Sequence, residues 1–254
     1  MRRAVLLLAL LLAAALACAP AFARDRLRII GAGIPPLSFA RDGVISGYCV
    51  DLVHELQRRV GDATAVELMP WARAYRMGMD GANVILLCPK RTPEREPHFR
   101  WVGPVLESES MFYALRRSRI KLATLNDARA LQGILVPREF YSYQYLRGAG
   151  FTNLEPVNTS QAMLAMLLAG RRPVMVLDRE QLPVLLEQAG VDGEQVEPLL
   201  KLMSIRSYFT FPLDAPDSQV AQWQQALDGI RRDGTLERLQ RQWFPAGTVP
   251  LSRR

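Results

Sequence analysis

The residues that could do chemistry in this 254-residue chain do not assemble into a local catalytic motif. There is no G-x-S-x-G, no C-x-x-C and no G-x-x-x-x-G-K, so the sequence signatures of a hydrolase elbow, a redox dithiol and a phosphate loop are missing. Gly31-Ala32-Gly33 opens like a dinucleotide fingerprint, but Pro36 stands where the third glycine belongs. That glycine is what lets helix and strand pack closely. His54-Glu55 opens like H-E-x-x-H, yet Arg58 replaces the second histidine, and a guanidinium does not ligate zinc. Only one other histidine, His98, exists. Neither has a nucleophile beside it in sequence, and both read as surface or packing residues. No catalytic residue, no metal ligand and no cofactor is expected.

The chain begins MRRAVLLLALLLAAALACAPAFARDR. Arg2 and Arg3, the uncharged stretch Ala4 to Ala17, and Ala21-Phe22-Ala23 have the layout of a secretory signal, residues 1–23. The expected location is the periplasm. A lipid anchor at Cys18 is the rival reading, although Ala15 stands where a lipobox carries a branched apolar residue. The composition is that of a folded globular chain, 49% apolar and 22% charged. The formal charge is +7, but the basic residues are scattered. Without a polybasic run, nucleic acid is not an expected partner. Cys49 and Cys88 are either a disulfide, which an exported compartment permits, or two small buried apolar residues.

Stepping along the chain, the short apolar runs 27–31, 65–69 and 83–88 read as strands. Between them lie a Gly/Pro-rich loop (31–47) and helices over 49–60 and 71–79. Cys49, Leu52, Val53, Leu56 and Val60 share one helical face. Residues 101–116 read as extended. The alternation then restarts, with strands at 134–136, 153–157 and 173–177. Helices follow at 140–147, after a Thr159 or Ser160 cap, and at 179–188. A second extended stretch covers 204–213, and helices 218–232 and 235–243 close the chain. Two α/β lobes with two extended crossings leave a cleft at the strand C-termini, where such sheets bind ligands.

Motif order then carries a resemblance. IPPLSF (34–39), DGVISGYCVDL (42–52), PWARA (70–74), RTPERE (91–96) and LDGIRRDGTLERLQRQWF (227–244) occur in that sequence. The chain resembles the periplasmic solute-binding proteins of polar amino acid ABC importers, extracellular solute-binding family 3, over Leu27 to Phe244. The resemblance implies a type II periplasmic-binding fold with two lobes, each a mixed sheet flanked by helices. Lobe 1 would be 24–107 with 206–254, and lobe 2 would be 108–205. It implies a monomer that captures a small amino acid-like solute by hinge closure and docks on a membrane permease. It also implies that Arg95 grips a ligand carboxylate, as a two-donor guanidinium can. Asp178, at the end of a strand, would hold an ammonium or cap the next helix. Trp71 would stack on the ligand, with Leu37 or Phe39 lining the site. Asp51, Arg73 and Arg91 are weaker candidates.

Three departures bear on the ligand. Lys90 stands where the family has Ser or Thr, after Cys88-Pro89. Pro137-Arg138-Glu139-Phe140 replaces a small-residue turn that would bind an anion through free N–H groups. Gly31 stands where binders of basic amino acids place an acid. Lys90 and Arg138 are therefore counted among the ligand-facing candidates, and a cationic ligand side chain is disfavoured. The aromatic run Phe140–Tyr145 either lines lobe 2 or packs in its core. An exported dehydratase-like enzyme, a ligand-sensing subunit of a receptor, and a module that has lost its ligand stay open as alternatives on the same fold.

Overall fold

The computed structural model describes residues 27–80 and 83–244. The expected secretory signal, residues 1–23, and Cys18 lie outside them. Strand β1 (Arg28–Ala32) enters a loop that holds a small hairpin, β2 (Phe39–Arg41) and β3 (Val44–Ser46), where only loop was expected. Helix α1 (Tyr48–Val60) follows, then β4 (Val66–Met69), α2 (Trp71–Met79) and β5 (Val84–Leu86). The long strand β6 (Arg100–Leu115) leads to α3 (Leu125–Arg129), β7 (Ile134–Pro137), α4 (Tyr141–Gly148) and β8 (Leu154–Val157). After them come α5 (Ser160–Leu168), β9 (Val174–Asp178), α6 (Leu182–Gln188) and a second long strand, β10 (Val196–Phe211). Helices α7 (Asp217–Arg232) and α8 (Thr235–Trp243) complete the described chain.

The strands form one eight-stranded sheet, ordered β4-β1-β5-β10-β6-β9-β7-β8. Pairing is parallel within β4-β1-β5 and within β9-β7-β8. It is antiparallel where β10 meets β5 and β6, and where β6 meets β9. The lobes therefore share a sheet rather than owning one each. The reason is the pair β6–β10: each is sixteen residues long, and they stay paired from Arg100↔Phe211 to Leu115↔Val196 across three register shifts. The sequence pattern captured β6 but only the second half of β10. Residues 196–203 have no clean alternation, being a mixture of Leu, Pro and charge.

The apolar cores nevertheless separate. One gathers α1, α7 and α8 against β1, β5 and the first part of β6, around Leu52, Leu56, Phe209, Trp223 and Leu227. Two others pack on opposite faces of the sheet's far half, β6-β9-β7-β8. Met163, Leu164 and Leu167 lie on one face, and Val136, Leu146 and Phe151 on the other. Within the first core, Cys49, Leu52, Val53 and Leu56 are buried and Val60 packs at the edge, as the helical spacing requires. Gly47 shows why this helix starts where it does. Its φ is +129°, and a Cβ there would lie 2.5 Å from the Leu37 carbonyl oxygen. Only glycine lets the loop run this close to the helix start. At the start of α5, Thr159 accepts from the Ala162 N–H, one of the two caps anticipated. Helix α3 was missed; its signal is the capping box of Thr124 and Asp127.

Cys49 and Cys88 are joined in a disulfide. It ties the first turn of α1 to the loop after β5, closing a loop with a sequence separation of 39. Loop-closure entropy makes such a link worth about 4 kcal/mol. Replacing both cysteines by serine is expected to lower stability by about 2–4 kcal/mol in urea titrations. An unchanged midpoint would show that the link constrains nothing.

Candidate functional site

Four segments at the sheet's C-terminal ends meet at one cleft. The loop after β1 brings Ile34, Leu37 and Ser38, and the loop after β5 brings Cys88, Pro89, Lys90 and Arg95. Across from them, the turn before α4 brings Phe140 and Tyr141, and the end of β9 brings Asp178 and Gln181. Together with Trp71 these residues line the cleft, whose empty space, counting the part open to solvent, is about 450 Å³. The wall is mostly apolar, with a few convergent polar groups, the usual make-up of a small-molecule site.

The first of those groups is Arg95, only 1% exposed. The segment Arg91–Glu96 turns on Thr92, whose carbonyl accepts from the N–H of Arg95 and of Glu96. That turn aims the guanidinium between the rings of Trp71 and Tyr75, at 5.2 and 4.9 Å from their centroids. Both are cation–π distances. Its N–H groups reach only neutral acceptors: the Lys90 carbonyl at 3.4 Å, the Glu139 carbonyl at 3.4 Å and Gln144 Oε1 at 3.2 Å. Nε has no hydrogen-bond partner. Burial lowers the guanidinium's affinity for its proton. Arginine stays charged even so.

The second group is a buried charge cluster around Lys90. Its Nζ lies 2.5 Å from Ser108 Oγ, 3.3 Å from Asp178 Oδ2 and 3.4 Å from Glu180 Oε1. Lys90, Asp178 and Glu180 are 6%, 4% and 1% exposed. Asp178 Oδ1 accepts from the Tyr141 hydroxyl, and Gln181 Nε2 donates to Oδ2 at 3.5 Å. Ser108 donates to Glu180 Oε1 at 2.6 Å, while Glu180 Oε2 has no partner. Burial works against the Lys90 charge, but the attraction of Asp178 and Glu180 outweighs it and the ammonium is held. For Glu180 the balance is reversed: burial pushes its carboxyl up more than Lys90 and Ser108 pull it down.

The placement of the expected residues is uneven. Arg95, Asp178, Trp71, Lys90 and Leu37 converge on the cleft. Arg138 does not. Its guanidinium turns away to Asn158 Oδ1 (2.7 Å) and the Pro156 carbonyl (3.1 Å), acceptors on the adjoining β8 and the loop after it. Asp178 is not a helix cap either; α6 begins four residues later, at Leu182, after a turn closed from Gln181 N–H to the Asp178 carbonyl. Phe39 packs edge-on against Trp243 instead of lining the site. Asp51 accepts from Trp243 Nε1, and Arg91 lies over Trp101 and Tyr208 beside Glu96; both are tied into the fold. His54 and His98 are exposed. The aromatic run divides: Phe140 and Tyr141 line the cleft, and Tyr143 packs in a core. Sequence reasoning missed Glu180, Ser108 and Gln144. The D-x-E spacing after β9 was the signal for Glu180; nothing local marked the other two. Among the described residues no group of His, Cys, Asp and Glu is arranged to hold a metal ion, and no helix is long and apolar enough to cross a membrane.

This architecture, a cleft between two α/β lobes joined by two crossing strands, is that of a type II periplasmic-binding fold. Residues 27–246 match the family model of the bacterial extracellular solute-binding proteins, family 3, and the chain belongs to that family. A comparison with curated protein sequences found no match. Among solved structures, a histidine kinase sensor domain with similarity to periplasmic binding proteins aligns with a TM-score of 0.78 at 19% identity, over 87% of this chain and 96% of its own. The arginine-, lysine-, histidine-binding protein ArtJ of Geobacillus stearothermophilus aligns at 0.74 and 15%, over 89% and 97%. The ancestral amino acid-binding protein AncCDT-1, a precursor of cyclohexadienyl dehydratase, aligns at 0.75 and 18%, over 86% and 95%. At these identities the likeness is one of fold.

The charge cluster has a pH signature. A carboxyl whose folded pKa is raised binds its proton more tightly when folded, so the stability it contributes is present below its unfolded value and lost as pH rises through the raised one. For Glu180 that window opens upward from about 4.5, the ordinary glutamate value. Glu180→Gln, which keeps the shape without the titration, is expected to flatten the fall in melting temperature across that window. Parallel wild-type and variant curves would assign the pH dependence elsewhere.

Proposed function

We propose that the protein captures a small carboxylate-bearing solute, an amino acid or a related acid, in this cleft and presents it to the permease of an ABC importer. One observation carries the reading. Arg95 is a buried guanidinium that, among the described residues, has no acidic side chain within salt-bridge distance, and it lines the cleft between the lobes. A buried charge without a counter-charge is costly, and a ligand carboxylate would supply the partner in the bidentate geometry that arginine favours. In this reading lobe 1 comprises residues 24–107 and 206–254, and lobe 2 comprises 108–205. The separate apolar cores support that division. The secretory layout of residues 1–23 supports a periplasmic site of action.

Capture would work by population shift. A ligand that touches Arg95 on one lobe and the Tyr141–Asp178 wall on the other gains contacts only when the lobes are together, so it favours the closed form. The two lobes already touch here, through the Glu139 carbonyl, which accepts from Trp71 Nε1 at 3.1 Å and from Arg95.

A thermal-shift screen against amino acids, small carboxylates and opines tests capture. A ligand at 100 times its Kd adds about 2.7 kcal/mol, which raises the melting temperature by about 5–10 °C in a chain of this size. With a ligand in hand, Arg95→Ala is expected to weaken binding by about 1.5–3 kcal/mol in calorimetry, the worth of hydrogen bonds to a charged group. Unchanged affinity would remove the carboxylate grip. The end use is separated by uptake: loss of labelled-ligand uptake in a strain lacking the protein supports import, and unchanged uptake points to a sensing receptor.

A further inference from the structure

Resting on the binding reading above, we infer that the ligand is a small carboxylate without a primary ammonium group, because the protein's own Lys90 ammonium fills the place a ligand amino group would take. The cleft contains two buried cations in opposite states of satisfaction. An ammonium has three N–H donors, and the Lys90 Nζ has three partners, Ser108, Asp178 and Glu180. Arg95 has neutral acceptors only and an unpartnered Nε. The unmet demand in the site is thus for an anion.

The acceptor side agrees. Asp178 is the acid on the cleft wall that could receive a ligand ammonium. Its two oxygens already take the Tyr141 hydroxyl, the Lys90 ammonium and Gln181. An incoming ammonium would have to displace Lys90 from a pair that is more than nine-tenths buried. Removing one partner from such a pair leaves an uncompensated buried charge. The displaced Lys90 would also leave Glu180, whose second oxygen is already unpartnered. The remaining wall fits the body of such an acid. Ile34, Leu37, Leu87 and Phe140 are apolar, and the Ser38 hydroxyl is turned to the Ala32 carbonyl.

Calorimetry on the wild-type protein with matched pairs decides the matter: 4-methylpentanoate against L-leucine, 3-phenylpropanoate against L-phenylalanine, and propanoate against L-alanine. Each pair differs only in the amino group. At least one desamino acid is expected to bind ten times or more tightly than its amino partner. Lys90→Ser, which removes the resident ammonium and frees Asp178, is expected to move that preference at least tenfold toward the amino acid. An amino acid that binds the wild type as tightly as its desamino partner overturns this inference and leaves the carboxylate grip standing. No binding by any member of the series overturns both. If Lys90→Ser does not fold, the wild-type pairs decide alone.

Discussion

The structure depends on the antiparallel pairing of β6 with β10. Each strand is long enough to belong to both lobes, and their ladder makes one sheet out of two. This is a constraint as much as a connection. A two-strand waist can bend and twist more readily than packed cores can deform, because cores at crystal-like density resist shear. The apolar clusters lie to either side of the waist, and the pairing at the middle aligns the cleft walls. The cleft sits where the parallel strands on both sides end, and the loops there are anchored by Leu37, Leu87 and Cys88 in the apolar core.

Buried polarity is concentrated at this waist. Lys90, Ser108, Asp178 and Glu180 come from a loop, the crossing strand and the end of a lobe 2 strand, and they meet only because β6 sets the register between the halves. Such clusters contribute little net stability compared with apolar packing of the same volume, but they are intolerant of partial disruption. That intolerance is what makes the cluster informative. It pins Asp178 and Lys90 to each other and separates them from Arg95, which is cushioned by aromatic faces rather than by an acid. The disulfide adds rigidity nearby, since Cys88 lies two residues before Lys90.

Much of this was legible in the chain. The alternation of short apolar runs with amphipathic helices is a local signal, and the strands at 28–32, 66–69 and 134–137 and the helices at 48–60, 71–79 and 235–243 follow it closely. The family resemblance rested on five ordered motifs, and the matched family agrees. Less legible were elements whose pattern is set by tertiary neighbours. The first half of β10 has no alternation because its ladder with β6 slips between Pro198 and Leu200 and between Lys201 and Met203, and each slip resets which face a residue meets. The candidate site was partly legible: Arg95, Asp178, Trp71, Lys90 and Leu37 reach the cleft. Arg138, the residue after β7, does not, since residue type near a strand end says nothing about which way a side chain turns.

The sequence by itself determined the lobed α/β fold, the family and the identity of the principal cleft residues, because periodicity and motif order are properties of the chain alone. Tertiary structure alone decided that Cys49 bonds Cys88, that Lys90 faces Asp178 and Glu180, and that Arg95 lacks an acid. Those facts concern distances between residues far apart in sequence. Such distances are set by packing and sheet register, which no local pattern encodes.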